Sequence, residues 1–380
     1  MRLSAILLTA ILLVTSCGNG NRPTESYRKN ALNETFTASR FRIDDCQGYK
    51  RLVITDPWQN SGGTELTYYL APHNAQLPDT VPEAAVIRVP IQRIVCMSTT
   101  HTAMLRALDA ADIIVGVSGT DLIYDSLILD AVSRGMIHDV GYEANLDKEL
   151  VVSLKPDLLM AYSVGASSAE YLRKLEEMGV KVMYNADYLE EHPLARCEWI
   201  RVFGILTGKE ARADSLFCAV TAAYLSLAEM VRDSVREHPD VLLGAPWEDV
   251  WYISPANSYI GRLISDAGGR YLFDDLSEPN SVPFSVEAVF RRATDADIWI
   301  NPGTAASLSA IAVADHRMMK LPVCVAGNIW NNRNRMTPSG GNDYWESAVV
   351  HPELLLKDIV SILHPGLLPD HQQLYYRRLE

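Results

Sequence analysis

From residue 93 onward, short runs of consecutive apolar residues alternate with stretches whose apolar positions recur every third or fourth residue. The runs at 93–98, 113–117, 158–161 and 180–184 are too short for helices and predict buried strands. Between them, 102–108 and 168–178 carry helical periodicity; Ser167 and Glu170 have capping-box spacing, and Gly179 fits a helix end. Strands that read as continuous apolar runs, each followed by a helix, predict a parallel sheet covered on both faces. The stretch 210–235 differs. Ala213, Leu216, Val220, Ala223, Leu227 and Met230 form one apolar stripe, which predicts a long helix connecting two bodies. A second alternating half follows, with strands expected at 241–244, 250–253, 297–300 and 323–326. Helices are expected from Tyr259 to a stop at Gly268–Gly269 and from a Ser285 cap to about Arg292, with a closing helical region at 343–363 broken near Pro352. Before Pro90 the pattern is β-rich, with β-formers at 40–43, 50–54 and 65–70 punctuated by Gly48, Asp56-Pro57 and Gly62-Gly63.

The first residues carry a different pattern. A positive start, an apolar run through Val14 and small residues before Cys17 predict a secretory signal of the lipoprotein type, with Cys17 the lipidated residue. The expected division is a signal peptide at 1–16, a lipidated tether at 17–34, a β-rich extension at 35–90, an N-terminal α/β lobe at 91–208, a connecting helix at 209–236, a C-terminal α/β lobe at 237–345 and a C-terminal helical segment at 346–380. The fold class is therefore α/β: two Rossmann-like lobes joined by one long helix, with a ligand cleft between them. A monomer held to a membrane through its lipid, in the periplasm of a Gram-negative-type cell, is the expected state.

A formal net charge of -13 excludes nucleic acid and an anionic lipid surface as partners, since both need a basic face. The cysteines stand at 17, 46, 96, 197, 218 and 324, with no Cys-x-x-Cys pair, so neither a zinc cage nor a redox motif is indicated; one disulfide stays open. Cys96 and Cys324 sit in apolar runs and read as buried thiols. No Gly-x-Ser-x-Gly elbow, P-loop or His-Glu-x-x-His is present, and Ser98, Ser118 and Ser163 have no identifiable base. The chain reads as a binding protein with no catalytic residues and no cofactor. A surface glycan-binding protein would also use tryptophans, but its usual all-β architecture conflicts with the alternating pattern.

Ligands of open α/β sheets lie outside the carboxyl ends of the strands. The loops at 98–101, 118–124, 142 and 162–163 in the first half, and at 246–251, 301–304 and 330–344 in the second, are thus the expected cleft. Their candidate contacts are Thr99, Thr100, His101, Tyr124, Tyr142, Tyr162, Trp247, Trp251, Trp330, Arg333 and Arg335. The tryptophans suit a large flat ligand, and guanidinium groups suit carboxylate or catecholate oxygens. The same loop arginines also read as a solvated basic surface. His101 reads either as an iron ligand or as a helix-start residue in a polar network. His138, His192, His238 and His316 do not fall at comparable loop positions, so no bare metal site is expected.

Several segments, in order, resemble a known family: 93–108, 112–118, Asn145-Leu-Asp147 with Leu154-Lys-Pro-Asp157, 261–269 ending in a double glycine, and Ser285-Val-Glu287 with Asp295-Ala-Asp297. They are similar to the periplasmic-binding family for ferric siderophores, haem and cobalamin. The resemblance covers about 91–363, with Asp147 standing where glutamate is common. It implies a receptor for an ABC importer, working with a permease and an ATPase on a metal chelate. An iron complex (ferric siderophore or haem) comes first and a corrinoid second. It also implies that Asp147 and Glu287, one on each lobe, meet the permease.

Overall fold

The computed structural model describes residues 38–142, 145–162, 166–278 and 280–380. The expected signal peptide, Cys17 and the tether lie outside the described residues.

The β-rich extension is a sheet of β1 (Phe41–Cys46), β2 (Tyr49–Thr55), β3 (Glu65–Pro72) and β4 (Val86–Val89), in that order. Gly48, at φ 82°, makes the tight β1–β2 turn, and the first three strands pair antiparallel while β4 joins parallel to β3. Leu52, Ile54 and Leu70 are fully buried within it. The sheet is clamped onto the first lobe. Buried Glu190 accepts from Ser39 N and Arg40 N at 2.9 and 3.0 Å, Glu198 accepts from Ala38 N at 2.7 Å, and the Trp58 ring lies 5.4 Å from that of Tyr184.

The first lobe is a parallel sheet of β5 (Ile94–Cys96), β6 (Ile114–Val117), β7 (His138–Asp139), β8 (Leu158–Ala161) and β9 (Val182–Tyr184), ordered β7-β6-β5-β8-β9. β5, β6, β8 and β9 are buried at every position, as their apolar runs require. The chain winds one way from β5 to β7 and the other way from β8 to β9, so the order reverses between β5 and β8, where open α/β sheets bind ligands. Helices intervene, including Thr99–Ala107 after β5 and Ala166–Glu177 after β8. Ser167, expected to cap the latter helix, falls inside it, so the chain turns helical earlier than the capping pattern suggested.

The second lobe is a sheet ordered β12-β10-β14-β15-β16: β10 (Asp240–Leu243), β12 (Arg270–Tyr271), β14 (Ile298–Ile300) and β15 (Ile329–Asn331) run parallel, and β16 (Arg377–Arg378) runs antiparallel to β15. A separate antiparallel ribbon pairs β11 (Val250–Ile253) with β13 (Val282–Ser285). Two expectations fail here. The apolar run at 323–326 belongs to a short helix, Pro322–Val325, started by its proline; the strand comes after Gly327, at φ 64°, redirects the chain. The closing segment is not wholly helical either: Pro352 begins the helix Pro352–Leu363 rather than breaking it, and the chain ends in the edge strand β16.

The long helix Glu210–Ser234 spans 25 residues, about 37 Å. Near its start Arg212 pairs with Asp109 at 2.7 Å and Arg201 of the first lobe pairs with Asp214 at 2.9 Å. Farther along, the Tyr224 hydroxyl donates to Asp266 of the second lobe at 2.7 Å, and Val231 packs against Gly268. Of the expected stripe Ala213, Val220 and Leu227 are buried, but Leu216 and Met230 are only half-buried and Ala223 is exposed. The buried face is rotated to include Phe217, Thr221, Tyr224 and Val231, and the helix touches both lobes.

Candidate functional site

A cleft of about 270 Å³ lies over the carboxyl ends of β5, β6 and β8. From the first lobe it is lined by Met97, Ser98 and Thr99 after β5, Ser118 and Leu122 after β6, Tyr142 after β7 and Tyr162 after β8; the opposite wall is Gly340, Asn342 and Trp345, from the chain that follows β15. Each first-lobe residue is placed by its strand ending. The Ser98 hydroxyl accepts from Thr100 N and caps the helix Thr99–Ala107, so its own backbone stays at the mouth. Asp139, at the end of β7, accepts from Gly119 N, Thr120 N and Gly141 N at 3.2, 3.0 and 2.9 Å, which pins the loops carrying Ser118 and Tyr142. Burial pushes the Asp139 carboxyl up, but these amides and the Thr120 hydroxyl outweigh it and hold it below the ordinary carboxylate value.

The opposite wall belongs to a strap, residues 332–350. The Trp345 carbonyl accepts from the Thr99 hydroxyl at 2.9 Å. Glu346, 2 % exposed, accepts from Tyr124 N at 2.6 Å and Asp125 N at 3.1 Å. Gly341 passes so close to the first lobe that a Cβ there would lie 2.1 Å from the Ile123 carbonyl oxygen. No lining residue is charged; the surface consists of aromatic faces, hydroxyls, one amide and aliphatic side chains.

The expected contacts divide. Thr99, Tyr142 and Tyr162 line the cleft. Tyr124 sits behind it, its backbone N–H on Glu346 and its ring 5.0 Å from the Arg335 guanidinium, which also pairs with Asp343 at 2.8 Å. Arg333 is half-buried and makes no ion pair among the described residues. The structure does not bring the others to this cleft. Thr100 is buried, with its hydroxyl 3.5 Å from Asp187. His101 faces the core, fully enclosed beside Phe203; burial pushes its pKa down to about 3, so the ring is neutral and no iron ligand for the mouth. Loop position in the sequence could not tell which face of the first helical turn would point inward. Trp251 is buried, its indole N–H donating to Leu243 O at 3.1 Å and its ring against Trp299. Trp330 lies within β15, not in the loop after it. Trp247 is 74 % exposed in the turn between β10 and β11, outside the lining.

Trp345 and Met97 are the lining residues outside the expected loops. Trp345 sits in a single 3-10 turn, Asp343–Trp345, which the sequence presents as the start of a helix. An aromatic residue in the polar, glycine-containing stretch 339–346 was the available signal. Asp147 and Glu287 are both exposed: Asp147 is the N-cap of the helix Lys148–Ser153, and Glu287 pairs with Arg317 at 2.8 Å. Among the described residues Cys46, Cys96, Cys197, Cys218 and Cys324 form no disulfide. Among the described residues no group of three or more His, Cys, Asp or Glu is placed to hold a metal ion.

The chain is 27% identical over 289 residues to an uncharacterised lipoprotein of Methanocaldococcus jannaschii, covering 74% of this chain and 67% of that one. It is 28% identical over 194 residues to an uncharacterised ABC transporter substrate-binding lipoprotein of Bacillus subtilis, covering 50% and 59%. In structure it is similar to a possible iron-binding, periplasmic solute-binding protein of Staphylococcus epidermidis, at TM-score 0.56 and 20% identity over 72% of this chain and 99% of that one. The periplasmic binding protein family model matches residues 94–318, from the first strand of the cleft-bearing sheet into the second lobe. With two α/β lobes, one bridging helix and a cleft at the strand ends, the chain belongs to the periplasmic binding protein family.

Proposed function

We propose that this chain is the substrate-binding lipoprotein of an ABC importer, lipidated at Cys17, that captures a compact ferric chelate between its lobes and delivers it to a membrane permease driven by an ATPase. The observation that carries the reading is the uncharged, aromatic-walled cleft at the point where the strand order of the first sheet reverses. Tyr142, Tyr162 and Trp345 offer flat apolar faces, while Ser98, Thr99, Ser118 and Asn342 offer hydrogen bonds to a neutral rim. Haem propionates or a catecholate chelate would need a cation that this lining lacks: Arg335 is held by Asp343, and Arg333 of the strap, which makes no ion pair among the described residues, lies outside the lining. A neutral ferric hydroxamate therefore suits it better. A volume of about 270 Å³ lies just below the usual range of ligand sites, about 300–1,000 Å³, which supports a compact, partly enclosed chelate over a corrinoid. The corrinoid stays as the second reading because its amide-rich rim also suits an uncharged wall.

Tryptophan fluorescence titrations with a ferric hydroxamate, haemin and cyanocobalamin test this. Quenching by the hydroxamate at micromolar concentration, weakened about tenfold in Trp345→Ala, is expected. Binding of haemin alone would overturn the argument from charge, and binding of none would overturn the cleft. Asp147 and Glu287 are the proposed contacts with permease cations. Asp147→Lys with Glu287→Lys should leave the titration unchanged and abolish cellular uptake of the labelled chelate; lost binding in a folded double variant would count against that role.

A further inference from the structure

The strap 332–350 starts at β15 of the second lobe and ends on the first. It therefore joins the lobes a second time, independently of the helix Glu210–Ser234. The two links differ in kind. The helix is a continuous rod whose buried face packs along its length, whereas the strap has only an isolated β-bridge between Met336 and Asn342 and two 3-10 turns, Asp343–Trp345 and Ser347–Val349. What seats the strap is a set of discrete contacts, and the central one is Glu346. Its carboxylate receives two successive backbone amides, Tyr124 and Asp125, which lie between the turn Thr120–Leu122 and the helix Ser126–Ser133 and donate to neither. The neighbouring residue, Trp345, is a cleft wall and is fixed through its own carbonyl on Thr99. The position of that wall is thus set by the Glu346 clamp.

We propose that Glu346 is a latch that holds the Trp345 wall closed over the cleft, and that ligand exchange proceeds by release of its carboxylate from the Tyr124 and Asp125 amides while the lobes stay fixed on the long helix. The proposal rests on the reading of this cleft as the ligand site. The latch is a positioning residue: it touches no ligand and acts through Trp345.

The surroundings of the carboxylate give the latch a pH dependence. The acids facing it are Asp125 and Asp343; Arg106, from the helix Thr99–Ala107, pairs with Asp125 at 2.8 Å, and Arg335 pairs with Asp343. The Tyr375 hydroxyl approaches the same segment at Ser347, 3.0 Å away. Burial, aided by the two acids and opposed by the two amides, raises the Glu346 carboxyl to about 7 when the strap is seated. Released into water it returns to an ordinary glutamate value near 4.3. The closed form therefore binds the extra proton between those values, so closure is favoured at acid pH and opening becomes easier as pH rises to about 7, then levels off.

Hydrogen exchange of the ligand-free mature chain tests this without any assumption about ligand. After correction for intrinsic rates, the Tyr124 and Asp125 amides should be protected about tenfold more or better at pH 5.5 than at pH 8. Glu346→Gln is near-isosteric and cannot ionise, but it keeps one acceptor and turns an NH2 toward the second amide. One of the two amides should therefore stay protected, and its protection ratio between the two pH values should fall to within about twofold. Loss of protection at both amides at both pH values would show that the carboxyl is the latch and leave the native ratio to report its proton. Stopped-flow release of a ferric hydroxamate should show the same pattern, faster at pH 8 in the native chain and without that pH step in the variant. PH-independent exchange in the native chain would overturn the latch. A pH-dependent latch with an unchanged release rate would overturn its role in exchange. If the hydroxamate fails to bind while the exchange ratio behaves as expected, the reading of the cleft has failed and the latch stands.

Discussion

Gly341→Ala probes the seat of the strap with one methyl group. The new Cβ would lie 2.1 Å from Ile123 O, 2.5 Å from Ile123 C and 2.8 Å from Thr337 Oγ1. Carbon and oxygen atoms need more than 3 Å, so the strap must lift by about 1 Å, and the nearest obstacle is backbone that does not yield. Overpacking of this kind costs about 1–3 kcal/mol. The lift also stretches the Glu346 contacts, now 2.6 and 3.1 Å, and hydrogen bonds to a carboxyl that keeps its proton up to about pH 7 contribute about 0.5–1.5 kcal/mol each. These costs are alternatives more than additions, because a strap that detaches relieves its clash, so the net loss expected is about 2 kcal/mol. Thermal unfolding should show a fall of several degrees, and the ferric hydroxamate affinity should drop about tenfold or more as Trp345 moves. Gly366→Ala is the control, since its Cβ would meet nothing within 4 Å. A Gly341→Ala protein that melts and binds like the control would refute the close passage of the strap over Ile123, and with it the account of how the wall is held.

Two further outcomes follow from buried ionisable groups. Asp358 is fully buried on the helix Pro352–Leu363 and accepts from Leu374 N, Tyr375 N and Tyr376 N at 2.9, 2.6 and 3.2 Å, with His371 Nε2 at 2.7 Å. Asp358→Ala strands those donors and should cost about 3–5 kcal/mol in urea unfolding, whereas an unchanged midpoint would show that the tail is not clamped there. His101, held near 3 in the folded chain, leaves the unfolded state to take up the proton first; its contribution is complete above about 6.5 and is lost as pH falls below that, by up to about 1.4 kcal/mol per unit. His101→Leu should flatten the stability difference between pH 7 and pH 5, and an identical slope would place the histidine in contact with water. Glu346 acts with the opposite sign at mildly acid pH, so the two substitutions should bend the pH profile in opposite directions.

Much of the architecture was legible because its signals are local. Strands such as β5 and β8 are buried on both faces and so must be apolar at every position, and the stripe from Ala213 to Met230 shows the period of one helix face. Strand ends then located the mouth, and Thr99, Tyr142 and Tyr162 line it as the order of elements required. Where a side chain points within a short loop is not a local property. His101 and Thr100 share a helical turn with Thr99, and only the packing of that turn against Phe203 and Asp187 decides which of them meets the cleft. The run at 323–326 is apolar whether it becomes a strand or a helix, and Pro322 together with the redirecting Gly327 settles it through tertiary context. Trp345 and Glu346 reach the mouth because a segment of the second lobe crosses to the first, and the acceptor and donors of that crossing stand 222 and 221 residues apart. Residue pattern determined most of the strands and helices in this chain, the run at 323–326 and the closing segment excepted. Only the folded chain, by bringing distant backbone amides to one carboxylate, decided what closes the cleft.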